Sequence, residues 1–126
     1  MNEQDMLNRT KHFALRIMNL VGALPRTIQG RAIANQLMRS GTSVAANYRA
    51  GCRARWKAEF ISKLGTVEEE ADESVFWLEL IIEGNLLADN KVRSLLTEAG
   101  ELTAITASSK KTAARSQIAN RNSQLS

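Results

Sequence analysis

The chain has 126 residues, 44% hydrophobic and 24% charged, with one proline and six Phe, Trp or Tyr, which fits one globular domain and excludes a collagen-like or low-complexity polymer. A lone cysteine excludes an intrachain disulfide or a cysteine metal cluster, and no apolar run approaches the ~18 residues of a membrane span. The net charge of +4 hides an asymmetry: residues 1–58 hold ten Lys/Arg and two Asp/Glu, residues 59–109 hold three and eleven, and residues 110–126 hold four and none. The body is therefore close to neutral and the excess sits at the C-terminal end, which weakens a bare isoelectric-point argument for nucleic acid. The N-terminus lacks an apolar signal core, so the expectation is a cytoplasmic protein.

Taken in order, Met6, Phe13, Ile17, Leu20 and Leu24 recur at helical spacing and predict a first helix over about 4–23. Pro25 ends it, because the residue before proline disfavours the α region. A second helix is predicted from Thr27 to Arg53, with Ile33, Leu37, Ser40, Val44 and Asn47/Tyr48 on one face. Its middle, from Gln36 to Tyr48, is too small-residued for an ordinary surface helix and too apolar for a loop. An interior Gly41 costs ~1 kcal/mol against Ala, which makes sense where a neighbour passes close by.

A third helix over about 57–84 carries Phe60, Leu64, Val67, Ala71, Ser74/Val75, Leu78 and Ile81/Ile82, flanked by acids. Gly84-Asn85 is a good stop. A fourth, over about 90–114, carries Val92, Leu95, Leu96, Ala99, Leu102 and Ile105. The polar segment 115–126 is expected to fray or be disordered, leaving 1–114 as the folded domain.

Four helices with short connections imply an all-α, up-down-up-down antiparallel four-helix bundle. A hairpin turning near Ala54 sets Ser43 near Gly65 and Arg39 level with Glu69. Arg39 is then the candidate for a structural ion pair, with Glu73 or Asp72 preferred as partner.

Several stretches together resemble a known family: Phe13-Ala-Leu-Arg-Ile17, Leu24-Pro-Arg-Thr27, Gln36-Leu-Met-Arg-Ser-Gly-Thr-Ser-Val-Ala-Ala-Asn-Tyr48, Arg53-Ala-Arg55, Glu59-Phe-Ile-Ser-Lys-Leu64 and Glu70-Ala-Asp-Glu-Ser-Val-Phe-Trp-Leu-Glu-Leu80. They are similar to the bacterial 23S rRNA intervening-sequence proteins, densely over 10–83 and loosely over the last helix. Trp56 departs from the pattern, standing where a small polar residue is expected ahead of the third helix. The resemblance implies a four-helix bundle assembling as a homopentamer, with no established biochemical role. The family is in turn similar to the accessory proteins of diversity-generating retroelements, basic pentamers associated with nucleic acid; that association reaches this chain only by analogy of fold.

Residues that could carry chemistry are few. His12 stands alone. Cys52, beside Arg53, is a candidate for a lowered thiol pKa, but no second histidine or cysteine supports it. The acids Glu68, Glu69, Glu70, Asp72 and Glu73 lack the Glu-x-x-His of di-metal bundles. The expectation is a protein that is not an enzyme and takes no cofactor or metal. For RNA or DNA the candidates are Arg31, Arg49, Arg53, Arg55 and Lys57, with Lys110, Lys111, Arg115 and Arg121 after them. No RNP motif, zinc finger or stacking platform is apparent, so such binding would be weakly sequence-specific. Phe76 and Leu80 lie nearly opposite the third helix's core stripe and are the candidates for an oligomer interface. The alternative reading is a protein-interaction scaffold without nucleic acid.

Overall fold

A computed structural model describes residues 1–125. Four helices follow one another: α1 (Glu3–Gly22), α2 (Ile28–Cys52), α3 (Lys57–Glu83) and α4 (Asp89–Leu125). Each packs on the next in sequence, and α1 closes the bundle against α4 along a much thinner seam.

Local chemistry sets the helix ends. Asn2 and Asp5 form a reciprocal capping box, Asp5 N–H donating to Asn2 Oδ1 at 2.8 Å and Asn2 N–H to Asp5 Oδ2 at 3.1 Å. Thr27 caps α2 by accepting from Gly30 N–H at 3.0 Å. Trp56 occupies the N-cap of α3 and makes no side-chain capping bond, because an indole has no acceptor to offer. After α3, Asn85 adopts φ 56°, with Leu86 N–H on Ile81 carbonyl and Asn85 N–H on Ile82 carbonyl. This is a Schellman closure with asparagine in the left-handed position that glycine usually fills.

The predicted stripes meet in one core. Phe13 and Ile17 of α1, Leu37 and Val44 of α2, Leu64, Leu78 and Ile81 of α3 and Leu102 of α4 are all buried. Buried hydroxyls are satisfied locally, Thr10 donating to Met6 carbonyl and Thr106 to Leu102 carbonyl. Across α2 and α3, the Ser40 and Ser74 oxygens lie 2.9 Å apart. Each serine has one proton and a carbonyl of its own helix within reach, Leu37 for Ser40 and Glu70 for Ser74, so either can donate across the contact.

Two expectations change. The register between α2 and α3 is displaced by a few residues, since Arg53 and Ala54 still bond back to Arg49, Ala50 and Gly51 carbonyls and delay the crossover to Trp56. Ser40 rather than Ser43 therefore marks the close approach to α3. Gly65 faces α4 instead, where an added Cβ would touch Lys110. Gly41 serves α1: a Cβ there would stand 2.7 Å from Ile17 Cγ1 and 3.1 Å from Ile17 Cβ.

The second change is α4, which continues past 114 to Leu125. No proline or glycine interrupts 101–125, and Ala113 is buried. The part of 115–126 described here is thus helical; Ser126 lies outside the described residues.

Candidate functional site

The side chains with reactive potential are scattered. His12 is exposed. Burial pushes the Cys52 thiol up, not down, against the bond with Tyr48 that favours the thiolate, and neighbouring Glu3 adds to the rise. The same burial raises the Tyr48 phenol. Arg53 therefore does not activate Cys52. Among the described residues no three His, Cys, Asp or Glu side chains are grouped so as to hold a metal ion.

Several of the bundle's carboxylates are instead committed to ion pairs between helices. Glu68 Oε1 forms an ion pair with Lys110 Nζ at 2.8 Å. Arg39 bridges two acids one turn apart on α3, giving Nη1 to Glu70 Oε2 at 3.1 Å and Nη2 to Glu73 Oε2. Glu73 and Glu70, not Asp72, are the partners; Asp72 is exposed on the far side of α3. About half of the Arg39 side chain meets water (53%), so this pair lies at the surface of the α2–α3 seam rather than in the core.

The cations proposed for nucleic acid divide into groups. Arg53, Arg55 and Lys57 are exposed around the α2–α3 turn. The end of α4 comes to the same place, and a notch of 440 Å³ opens between Trp56, Lys57 and Ala58 on one side and Gln117, Asn120 and Arg121 on the other. Lys111 and Arg115 are exposed on the same final turns of α4. Lys110 is occupied by Glu68. Arg31 and Arg53 are both exposed, but Arg31 lies about 33 Å away along α2, at ~1.5 Å per residue, and does not join the group. Arg49 belongs to a groove between α1 and α2 that Arg53 also borders. Trp56 is 62% exposed beside these cations, so the basic end does possess an aromatic face that the sequence reading denied it. Its signal was present as the departure at that position.

On the outer face of α3, Phe76 is 51% exposed and Leu80 partly buried. Trp77 meets the Phe76 ring edge-on, centroids 5.0 Å apart. No helix among the described residues is long and apolar enough to cross a membrane.

Comparison with known proteins agrees with this architecture. Residues 2–108 match the sequence profile of the 23S rRNA-intervening sequence proteins. The chain belongs to that family. No curated protein matches it. A crystal structure of a protein with unknown function from the S23 ribosomal protein family of Bacteroides thetaiotaomicron is similar, with 30% identity and a TM-score of 0.78 over 88% of this chain and 99% of that one. Within this 23S rRNA-intervening sequence protein, the family match takes in Arg39, Trp56 and Phe76 but stops at 108. Gln117, Asn120 and Arg121, which form one wall of the basic notch, lie beyond the matched residues.

Proposed function

We propose that this chain is a non-catalytic, self-associating accessory protein that holds RNA or DNA at the basic end of its bundle. The observation that carries this reading is the notch in which Lys57 and Arg121 border an exposed Trp56, with Arg55 exposed next to it in the turn. Cations close to a bare aromatic face suit an unpaired nucleic-acid strand, the cations taking phosphates and the indole stacking on a base. No RNP motif or zinc finger accompanies the notch, so sequence preference should be slight. Five such chains, the assembly that the family resemblance implies, would multiply the phosphate contacts.

Gel-shift titration against a structured RNA and a single strand, each at two salt concentrations, tests it. Lys57→Ala with Arg121→Ala should weaken binding and lower the salt slope by roughly 0.7 per lost contact on single strands. Absence of binding by the intact protein at low salt ends the nucleic-acid reading. The scaffold reading would then stand, favoured by the exposed ring of Phe76 on the acidic face of α3.

A further inference from the structure

Two faces that the bundle leaves open match one another. The first is a groove of 540 Å³ between α1 and the second half of α2, with Leu7, Ala45 and Ala46 among its lining. Lys11 and Arg49 flank it from the two helices and Arg53 stands at its end; none of the three has an ion-pair partner among the described residues. Glu3 is the one carboxylate in the lining. Residues 7 and 11 on one wall and 42, 45, 49 and 53 on the other follow helical seam spacing, so the groove is a straight trough with small side chains in the middle. A trough of this kind accepts a helix.

The second face is the outer side of α3. Glu69, Asp72, Phe76, Glu79 and Glu83 are all exposed and fall at alternating steps of three and four residues, which sets them in one stripe. The four acids have no ion-pair partner among the described residues. Phe76 stands at the middle of the stripe, its ring propped by the edge contact with Trp77. The stripe is about 21 Å long and the α2 wall of the groove about 17 Å, at ~1.5 Å per residue.

We propose that α3 of one copy seats in the α1–α2 groove of the next, with Phe76 over Ala45 and Ala46 and the acids against Lys11, Arg49 and Arg53. This rests on the self-association put forward above and names its two faces. The chain cannot satisfy its own groove, because α3 packs on α2 and α4 and its acidic stripe is the exposed side of that helix. The two faces differ, so the contact is heterologous and runs head to tail, closing as a ring if the rotation permits. An apolar ring on a floor of small residues, rimmed by opposite charges, supplies both burial and orientation.

Light scattering on the full chain, with helicity followed by circular dichroism, tests this through charge reversal. Lys11→Glu with Arg49→Glu, or Glu69→Lys with Asp72→Lys and Glu79→Lys, should each yield particles of one 13.9 kDa chain at concentrations where the parent assembles. One chain carrying both sets should assemble again, since its faces are complementary once more. Phe76→Ala, which alters no charge, should weaken assembly at least about tenfold, and it decides the matter should a reversed chain lose its helicity. An assembled parent whose mass none of these changes alters overturns the contact and leaves self-association to other faces. Failure of the doubly reversed, folded chain to reassemble also overturns it. A parent that stays at one chain overturns the contact and self-association together, and loss of nucleic-acid affinity on Arg49→Glu in that monomer would assign the groove to phosphates.

Discussion

Arg9 forks onto Glu98 across the thinnest seam of the bundle, its Nε donating to Oε2 and its Nη2 to Oε1, both at 2.7 Å. Glu101 takes Nη2 as well, at 2.8 Å. Elsewhere α1 is held by apolar packing on α2, and along the thin α4 seam Arg16 Nη2 adds a bond to Ser94 Oγ at 2.7 Å. A bidentate, partly buried pair is the kind that contributes to stability, unlike an isolated surface contact.

The pair makes stability depend on pH. The bond from Arg9 holds the Glu98 carboxyl below its ordinary value of 4.5, against the opposing effect of burial. A depressed carboxyl adds stability at pH above its unfolded value and loses it as pH falls through the folded one. Arg9→Met should therefore cost ~1–2 kcal/mol at neutral pH, short of the ~3–5 kcal/mol of a fully buried pair because 26% of the Arg9 side chain remains in water. The difference from wild type should shrink on acidification below about 4.5. Urea midpoints at neutral pH and below that value check both parts; a difference that grows with acidity would refute the sign.

Gly41 and Ile17 should be coupled. Alanine at 41 gains ~1 kcal/mol of helix propensity, yet its Cβ would crowd both γ-carbons and the β-carbon of a fully buried Ile17. A rotamer change cannot move that β-carbon, so α1 and α2 must separate. Gly41→Ala should destabilise by ~1–3 kcal/mol and Gly41→Leu by more. In a double-mutant cycle with Ile17→Ala, the pair should be less damaging than the sum of the singles. Independent effects would mean that the helices do not touch there.

Much of the fold was legible because its information is periodic or local. Phe13 and Ile17, Leu37 and Val44, and Leu64, Val67, Ala71 and Leu78 declare buried faces by spacing alone, and Pro25, Thr27 and Asn85 mark ends by their own backbone chemistry. What sequence could not fix is which neighbour a small residue serves. Gly41 announces a close neighbour without saying which, and it serves α1; Gly65 is expected beside α2 and faces α4. Spacing along one helix gives an angle, but not the register or identity of the partner, and a turn bonded back onto α2 was enough to shift the α2–α3 register. The last turns of α4 were hidden for another reason. Their polar composition matches disorder, while the absence of any breaker and the docking of Gln117 and Asn120 beside Trp56 are properties of the continuous helix.

Trp56 should be the residue whose loss separates stability from binding. It makes no capping bond and is mostly exposed, so Trp56→Ser, which supplies a capping oxygen, should hold or raise the urea midpoint through a cap worth ~0.5–2 kcal/mol. The same change removes the aromatic face from the basic notch. If a base stacks there, affinity for a single strand should fall by ~1–3 kcal/mol, with the salt slope unaltered because no phosphate contact is lost. Lys57→Ala with Arg121→Ala should behave in the opposite way, lowering the slope. Measuring both variants by fluorescence-independent gel shift, since the substitution removes an indole, distinguishes stacking from charge. A Trp56→Ser protein that is folded, at least as stable and equally tight on a single strand would show that the indole is a misplaced cap and not a platform.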